Sequence, residues 1–231
     1  MPAYCARYIE RPSSKVMTGI LLKFRVSILA LVLGSALLVS PLATNAEAVG
    51  LFGYRATPYD GLKPFPKWRQ VLKTYKEEPG DCQSGKYNRC AHQKWLALIE
   101  DWRELPKQEQ LNRVNQHMNL FRYILDPVNW GVRDYWEIPK EFFARFGDCE
   151  DYAIVKYFTL RALGWSAEDM KIVVLQDMNL GIAHAILVVE FDGKNLVLDN
   201  QIGQVVDAKR IKHYRPIYSV NEIGWWRHKE P

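Results

Sequence analysis

The sequence predicts an α+β fold, with helices first and an antiparallel sheet after them. Three observations carry that expectation. Leu111, Val114, Met118, Phe121 and Leu125 recur at steps of three and four, the spacing of one buried helical face. From Cys149 to about Leu163 apolar residues occupy most of a helical circumference, which suits a central helix with Gly164 as its stop. Beyond Gly164 the pattern changes to short apolar or alternating runs at 171–175, 185–191, 195–198, 205–206 and 214–220, with Asp192–Gly193 as a hairpin turn.

The 231 residues, 48% hydrophobic and 25% charged, suffice for one real core and do not read as disordered. The amino terminus carries Arg7, Arg11, Lys15, Lys23 and Arg25 ahead of an uncharged apolar run at 26–42. Ala46–Glu47–Ala48 suits signal-peptide cleavage before Val49, Thr44–Asn45–Ala46 is an alternative site, and Met17 is an alternative start. The rival reading is a retained membrane anchor, for which the run is short. Residues 1–48 are thus expected to be a leader and 49–231 a single domain. Removing the leader lowers the formal charge from +5 to +2, so the basic balance is mostly leader. No run of Lys and Arg interleaved with aromatics remains, which excludes a nucleic-acid groove, and no Cys/His zinc framework is present.

Residues 49–65 read as a surface lead-in, and 68–75 as a short helix. Cys82 and Cys90, in a polar turn-rich stretch, are placed to close a small loop in an oxidising compartment, leaving Cys149 as the odd thiol once Cys5 is removed. Residues 91–103 form a helix with Trp95, Leu96, Leu98, Ile99 and Trp102 inward. Asn112, Asn115 and Asn119 on the following helix have two readings, as holders of nearby loops or as solvent-facing residues. Between Asp126 and Phe146 periodicity stops, and Trp130, Tyr135 and Trp136 read either as walls of a cleft or as core aromatics. The tail from Asn221, with Trp225–Trp226, is expected to cover part of the core.

The chemistry centres on Gly147–Asp148–Cys149–Glu150–Asp151. Asp148 is a good N-cap, and a cysteine opening the helix faces unpaired backbone N–H groups and the positive end of the dipole, both of which favour thiolate. Such a nucleophile needs a base and a group to orient it. His184 stands before the apolar run 185–189, and Asp199 ends the run 196–198. His92, His117, His213 and His228 lack that strand context.

Cysteine on a helix, then histidine and aspartate on successive strands, resembles the bacterial transglutaminase-like cysteine peptidases, most closely the LapG-type periplasmic proteases. The resemblance rests on Asn112, Asn115, Asn119, Tyr123, Asp126, Trp130–Gly131, Asp134–Tyr135–Trp136, Pro139, Glu141, the Gly147–Asp151 run, His184–Ala185 and Asp199–Asn200, and it covers roughly 65–217. It implies a papain-like or transglutaminase-like fold and a Cys149–His184–Asp199 triad. The backbone N–H of Cys149 would be one oxyanion donor, and the resemblance adds Trp130 as a second.

Asp148, Glu150 and Asp151 suit a first helical turn, yet three carboxylates would repel a neighbouring thiolate unless a cation compensates. The resemblance implies that calcium is that cation and these residues its ligands. It further implies a periplasmic endopeptidase that cuts near the amino terminus of a large surface adhesin, controls biofilm dispersal, and is sequestered by the periplasmic domain of an inner-membrane cyclic di-GMP receptor. Two rivals share the sequence features, a transglutaminase-type acyl transferase and a noncatalytic periplasmic binding module.

Overall fold

The computed structural model describes residues 50–77 and 89–230. The leader and the Cys82–Cys90 pairing lie outside the described residues. Seven strands form one antiparallel sheet in the order β1-β7-β6-β2-β3-β4-β5, with β1 at Arg55–Asp60, β2 at Met170–Asp177, β3 at Ile182–Phe191, β4 at Lys194–Leu198, β5 at Val206–Asp207, β6 at Tyr214–Val220 and β7 at Gly224–Lys229. Six α-helices are described: α1 (Pro66–Glu77), α2 (Arg89–Trp102), α3 (Lys107–Met118), α4 (Asp126–Asn129), α5 (Pro139–Arg145) and α6 (Cys149–Ala162). None is long and apolar enough to cross a membrane.

The sheet buries both faces, and its alternation shows how. Ile172, Val174, Leu187, Val189 and Leu198 join the helices in the main core. Val173, Leu175, Ile186, Val188 and Val197 form a second core under Leu51, Ile211 and Tyr214. Asp192 and Gly193, at φ 51° and 67°, make the two-residue turn between β3 and β4, as the sequence predicts.

Helix α6 is the central element. Every residue from Cys149 to Thr159 is buried, which matches its apolar circumference. It stops in a Schellman motif: Trp165 N donates to Leu160 O at 3.0 Å and Gly164 N to Arg161 O at 3.0 Å, with Gly164 at φ 85°. Trp95 Nε1 donates to Thr159 Oγ1 at 2.8 Å, docking α2 on it. Trp68 of α1 stacks edge-on to Tyr157 and donates Nε1 to Asn221 O at 2.8 Å.

Four expectations need correction. The helix expected through Leu125 ends at Met118, because Ile124 N bonds Gly147 O at 2.9 Å and pulls the chain alongside the Cys149 turn. Leu96 is 44% exposed, whereas Trp95, Ile99 and Trp102 are buried. The lead-in forms a strand, β1, paired with the tail strand β7 from Arg55↔Lys229 to Asp60↔Gly224, while Trp225 of that tail packs on the core as expected, with Tyr59 stacked on it at 4.3 Å. The aperiodic stretch before Gly147 contains α4 and α5, each with a proline at its start.

Candidate active site

Asp199 leaves the end of β4 and is wholly buried. Its Oδ1 lies 2.9 Å from His184 Nε2 and accepts from Gln201 N at 2.8 Å, while Oδ2 accepts from the Tyr214 hydroxyl at 2.6 Å. Burial alone would raise this carboxyl. The charge and hydrogen bond of His184, with the bonds from Tyr214 and Gln201, outweigh it and hold Asp199 below its ordinary value. His184, from β3, is equally buried, and its Nδ1 has no hydrogen-bond partner among the described residues. An imidazole held at one nitrogen by a carboxylate, with the other nitrogen uncommitted, is the arrangement of an oriented base.

Cys149 opens α6 as the sequence predicts and is fully buried. Its sulfur lies 3.1 Å from Glu150 Oε2. No other cysteine side chain is among the described residues. The structure sets Cys149 beside the carboxylates of its own turn. It brings His184 and Asp199 together, and Cys149 makes no hydrogen bond to His184 Nδ1 in this state.

The turn ahead of Cys149 is tightly built. Phe146 sits at φ 63°, ψ 169°, a backbone region that costs a non-glycine residue about 1–3 kcal/mol. Gly147 follows because a Cβ there would come within 2.2 Å of Asp151 Oδ2. Asp148 N donates to that same oxygen at 3.0 Å, and Glu137 N donates to Asp151 Oδ1 at 2.8 Å. The capping thus runs from Asp151 back to Asp148. Asp148 stands at the N-cap of α6 in a capping box with Asp151, as expected, and its carboxylate also accepts from Asp126 N at 3.4 Å.

Trp130, expected as an oxyanion donor, is committed elsewhere. Its Nε1 donates to Glu137 Oε1, which also accepts from Asn129 Nδ2 at 2.8 Å, and the Arg145 guanidinium lies over the indole at 4.4 Å. Tyr135 and Trp130 pack together at 4.5 Å, and Trp136 is a core residue.

The acidic residues of the run do not stand alone. Oxygens of Asp126, Asp148 and Asp151 lie within 4.8 Å of one another, as do those of Asp126, Asp134 and Glu150. Asp126 and Asp134 entered the sequence reading as parts of a resemblance and not as ligands. Nothing in their spacing, 22 and 14 residues before Asp148, signals the convergence. Burial, reinforced by Asp148, pushes Asp126 up to about 7. Burial and then the neighbouring carboxylates push Glu150 and Asp151 well up, and burial raises Asp148. Buried oxygens Asp126 Oδ1, Asp134 Oδ1 and Asp148 Oδ1 have no hydrogen-bond partner among the described residues. So many carboxylates cannot ionise together in a dry interior without a cation. Lys67, paired with Asp134, supplies part of that charge. The all-oxygen donor set fits a hard divalent ion.

This cysteine-opened central helix beside a histidine–aspartate pair on an antiparallel sheet is the architecture of a papain-like or transglutaminase-like cysteine peptidase. The chain belongs to the bacterial transglutaminase-like cysteine proteinases (BTLCP), whose family pattern matches residues 76–227. Among solved structures it is similar to Legionella pneumophila LapG, at 32% identity over 69% of this chain and 84% of that one, with a TM-score of 0.56. Calcium-bound L. pneumophila LapG gives 31% identity, 70% and 90% coverage and 0.55. The EGTA-treated form gives 32%, 70% and 85%, and 0.56. No curated protein sequence matches the chain.

Proposed function

We propose that the protein is a calcium-dependent periplasmic cysteine endopeptidase that hydrolyses a peptide bond near the amino terminus of a large surface adhesin, releasing the adhesin and dispersing the biofilm. The observation that carries the chemistry is the buried His184–Asp199 pair with His184 Nδ1 uncommitted, on the sheet against which the Cys149 helix packs. Cys149 attacks the scissile carbonyl and His184 holds the thiol proton at Nδ1. Asp199 fixes the tautomer and supports the imidazolium, and the Cys149 backbone N–H serves the developing oxyanion. His184 then gives its proton to the leaving amine, and water, deprotonated by His184, releases the thioester and returns the thiol.

Asp148, Glu150 and Asp151, joined by Asp126 and Asp134, would hold calcium, whose charge would neutralise the carboxylates around the thiolate. A cation there also explains why a thiolate tolerates such neighbours. The similarity to calcium-bound LapG supports this assignment. We assign residues 1–48 to a cleaved leader, 49–231 to the periplasmic enzyme, and its restraint to the periplasmic domain of a cyclic di-GMP receptor.

Mass spectrometry of adhesin amino-terminal fragments, mixed with reduced enzyme in calcium or in EGTA, tests this reading. Discrete cleavage that needs both calcium and Cys149 supports it. Incorporation of an added primary amine without hydrolysis replaces peptidase by acyl transferase, and no reaction of either kind favours a binding module.

A further inference from the structure

Helix α6 carries a lysine that the chemistry above does not use. Lys156, seven residues after Cys149, is fully buried. Its Nζ donates to Asn115 Oδ1 at 2.8 Å and lies 5.9 Å from the Tyr152 ring centroid. Asn115, from α3, is also fully buried, and its Nδ2 donates to Ile202 O at 3.0 Å and Gly203 O at 3.3 Å. One turn further along the chain, Asn119 Nδ2 donates to Asp199 O at 2.7 Å and Ile202 O at 3.4 Å. Two asparagines thus grip both ends of the 199–203 turn, and a lysine on the nucleophile's helix grips one of them.

A buried ammonium is costly, and an apolar side chain of the same length would fill the space without that cost. Burial pushes Lys156 down to about 7, opposed by the charge of Asp199, so the lysine lies within electrostatic reach of the carboxylate. Lys156 is the point where the helix bearing Cys149 and the turn bearing Asp199 share one hydrogen-bond network.

We propose that Lys156 is a positioning residue: through Asn115 it fixes the 199–203 turn, and with it the Asp199–His184 pair, relative to the helix that presents Cys149. This rests on Cys149, His184 and Asp199 acting as one unit. It is independent of the identity of the substrate.

The test uses reduced, calcium-loaded protein and two readouts: the rate of Cys149 alkylation by iodoacetamide at neutral pH, and the nitrogen chemical shifts of the His184 ring. Lys156→Met keeps length and apolar volume but removes the donor. The expected result is a folded protein whose alkylation slows about tenfold, the scale of coupling between residues in one network, with His184 shifts moved away from those of the carboxylate-bound ring. Lys156→Gln retains an N–H donor one bond shorter and is expected to recover part of the rate. Wild-type rate and shifts in folded Lys156→Met would mark a space-filling role and overturn the proposal, as would equal losses in the Met and Gln variants, which would show that an N–H donor restores nothing.

If Lys156→Met does not fold, Lys156→Met/Asn115→Leu removes both partners, so that Asn115 Oδ1 is no longer left without its donor, at the cost of the bonds to Ile202 O and Gly203 O. That double variant folded and slow supports the proposal. Folded with wild-type reactivity, or unfolded as well, it overturns it. Wild-type protein with no fast-reacting thiol, or Cys149→Ala that is still labelled rapidly, would instead defeat the triad reading itself.

Discussion

His184 Nε2 and Asp199 Oδ1 lie 2.9 Å apart with both side chains wholly buried, and Tyr214 closes the other side of the carboxylate with a 2.6 Å hydrogen bond. The sequence offered His184 and Asp199 but not Tyr214. A hydroxyl bonded to a charged group contributes about 1.5–3 kcal/mol. Tyr214→Phe is therefore expected to lower kcat about tenfold or more with little change in KM, and Asp199→Asn to lower it further by favouring the wrong tautomer. Steady-state kinetics on a cleaved fragment check both. Full activity in Asp199→Asn would remove Asp199 from the mechanism.

Trp130 gives its N–H to Glu137 in the wall of the acidic turn, a bond that an oxyanion role would have to break. Loss of a true oxyanion donor costs about 10²–10³ in kcat. Trp130→Phe is expected to cost far less than that and to lower thermal stability. A kcat loss of the full oxyanion size at unchanged stability would restore the residue to the reaction.

The five carboxylates around Cys149 make a direct prediction for calcium. Titration calorimetry should show a single site, and ligand at about a hundred times Kd should stabilise the fold by about 2.7 kcal/mol. Asp126→Asn is expected to weaken that affinity as clearly as Asp148→Asn, because its carboxylate faces the same cluster. Unchanged calcium affinity in Asp126→Asn would limit the site to the residues nearest Cys149.

His228 supplies a pH signature away from the site. Buried in β7 with Nε2 3.0 Å from Ser219 Oγ, it is pushed down to about 4 by burial, then by Lys171. A base depressed in the folded state contributes stability in full above its unfolded value of about 6.5, and loses it as pH falls toward about 4. The size is on the order of 3 kcal/mol. Urea midpoints should fall across that window in the wild type and less so in His228→Gln. Parallel curves for the two proteins would assign the acid loss to other groups.

What the sequence showed and what it hid have physical reasons. The hallmarks of α6 are local: an acid before the cysteine, apolar residues all round, and a glycine where φ must be positive. The β3–β4 hairpin is likewise written in Asp192–Gly193. The end of α3 is not local. Phe121 and Leu125 keep the helical spacing, but Ile124 pairs with Gly147 and the helix yields to that tertiary contact. Pairing of β1 with β7 joins residues more than 160 positions apart, and neither strand alternates cleanly enough to be read alone. The ambiguity of the asparagines is resolved for two of them: Asn115 and Asn119 hold the Asp199 turn, whereas Asn112 accepts from Gln108 on an exposed helix face. Lys156 was hidden because a lone lysine in an apolar helix ordinarily reads as the solvent edge.

The central claim is that Cys149 and His184 act as a pair, with His184 Nδ1 uncommitted in this structure. The pH dependence of Cys149 alkylation in reduced, calcium-loaded protein tests it most directly, with His184→Ala for comparison. The account predicts rapid reaction in the wild type well below the free-thiol value of about 8.5, and a shift toward that value in His184→Ala. Superimposable profiles for the two proteins would contradict it.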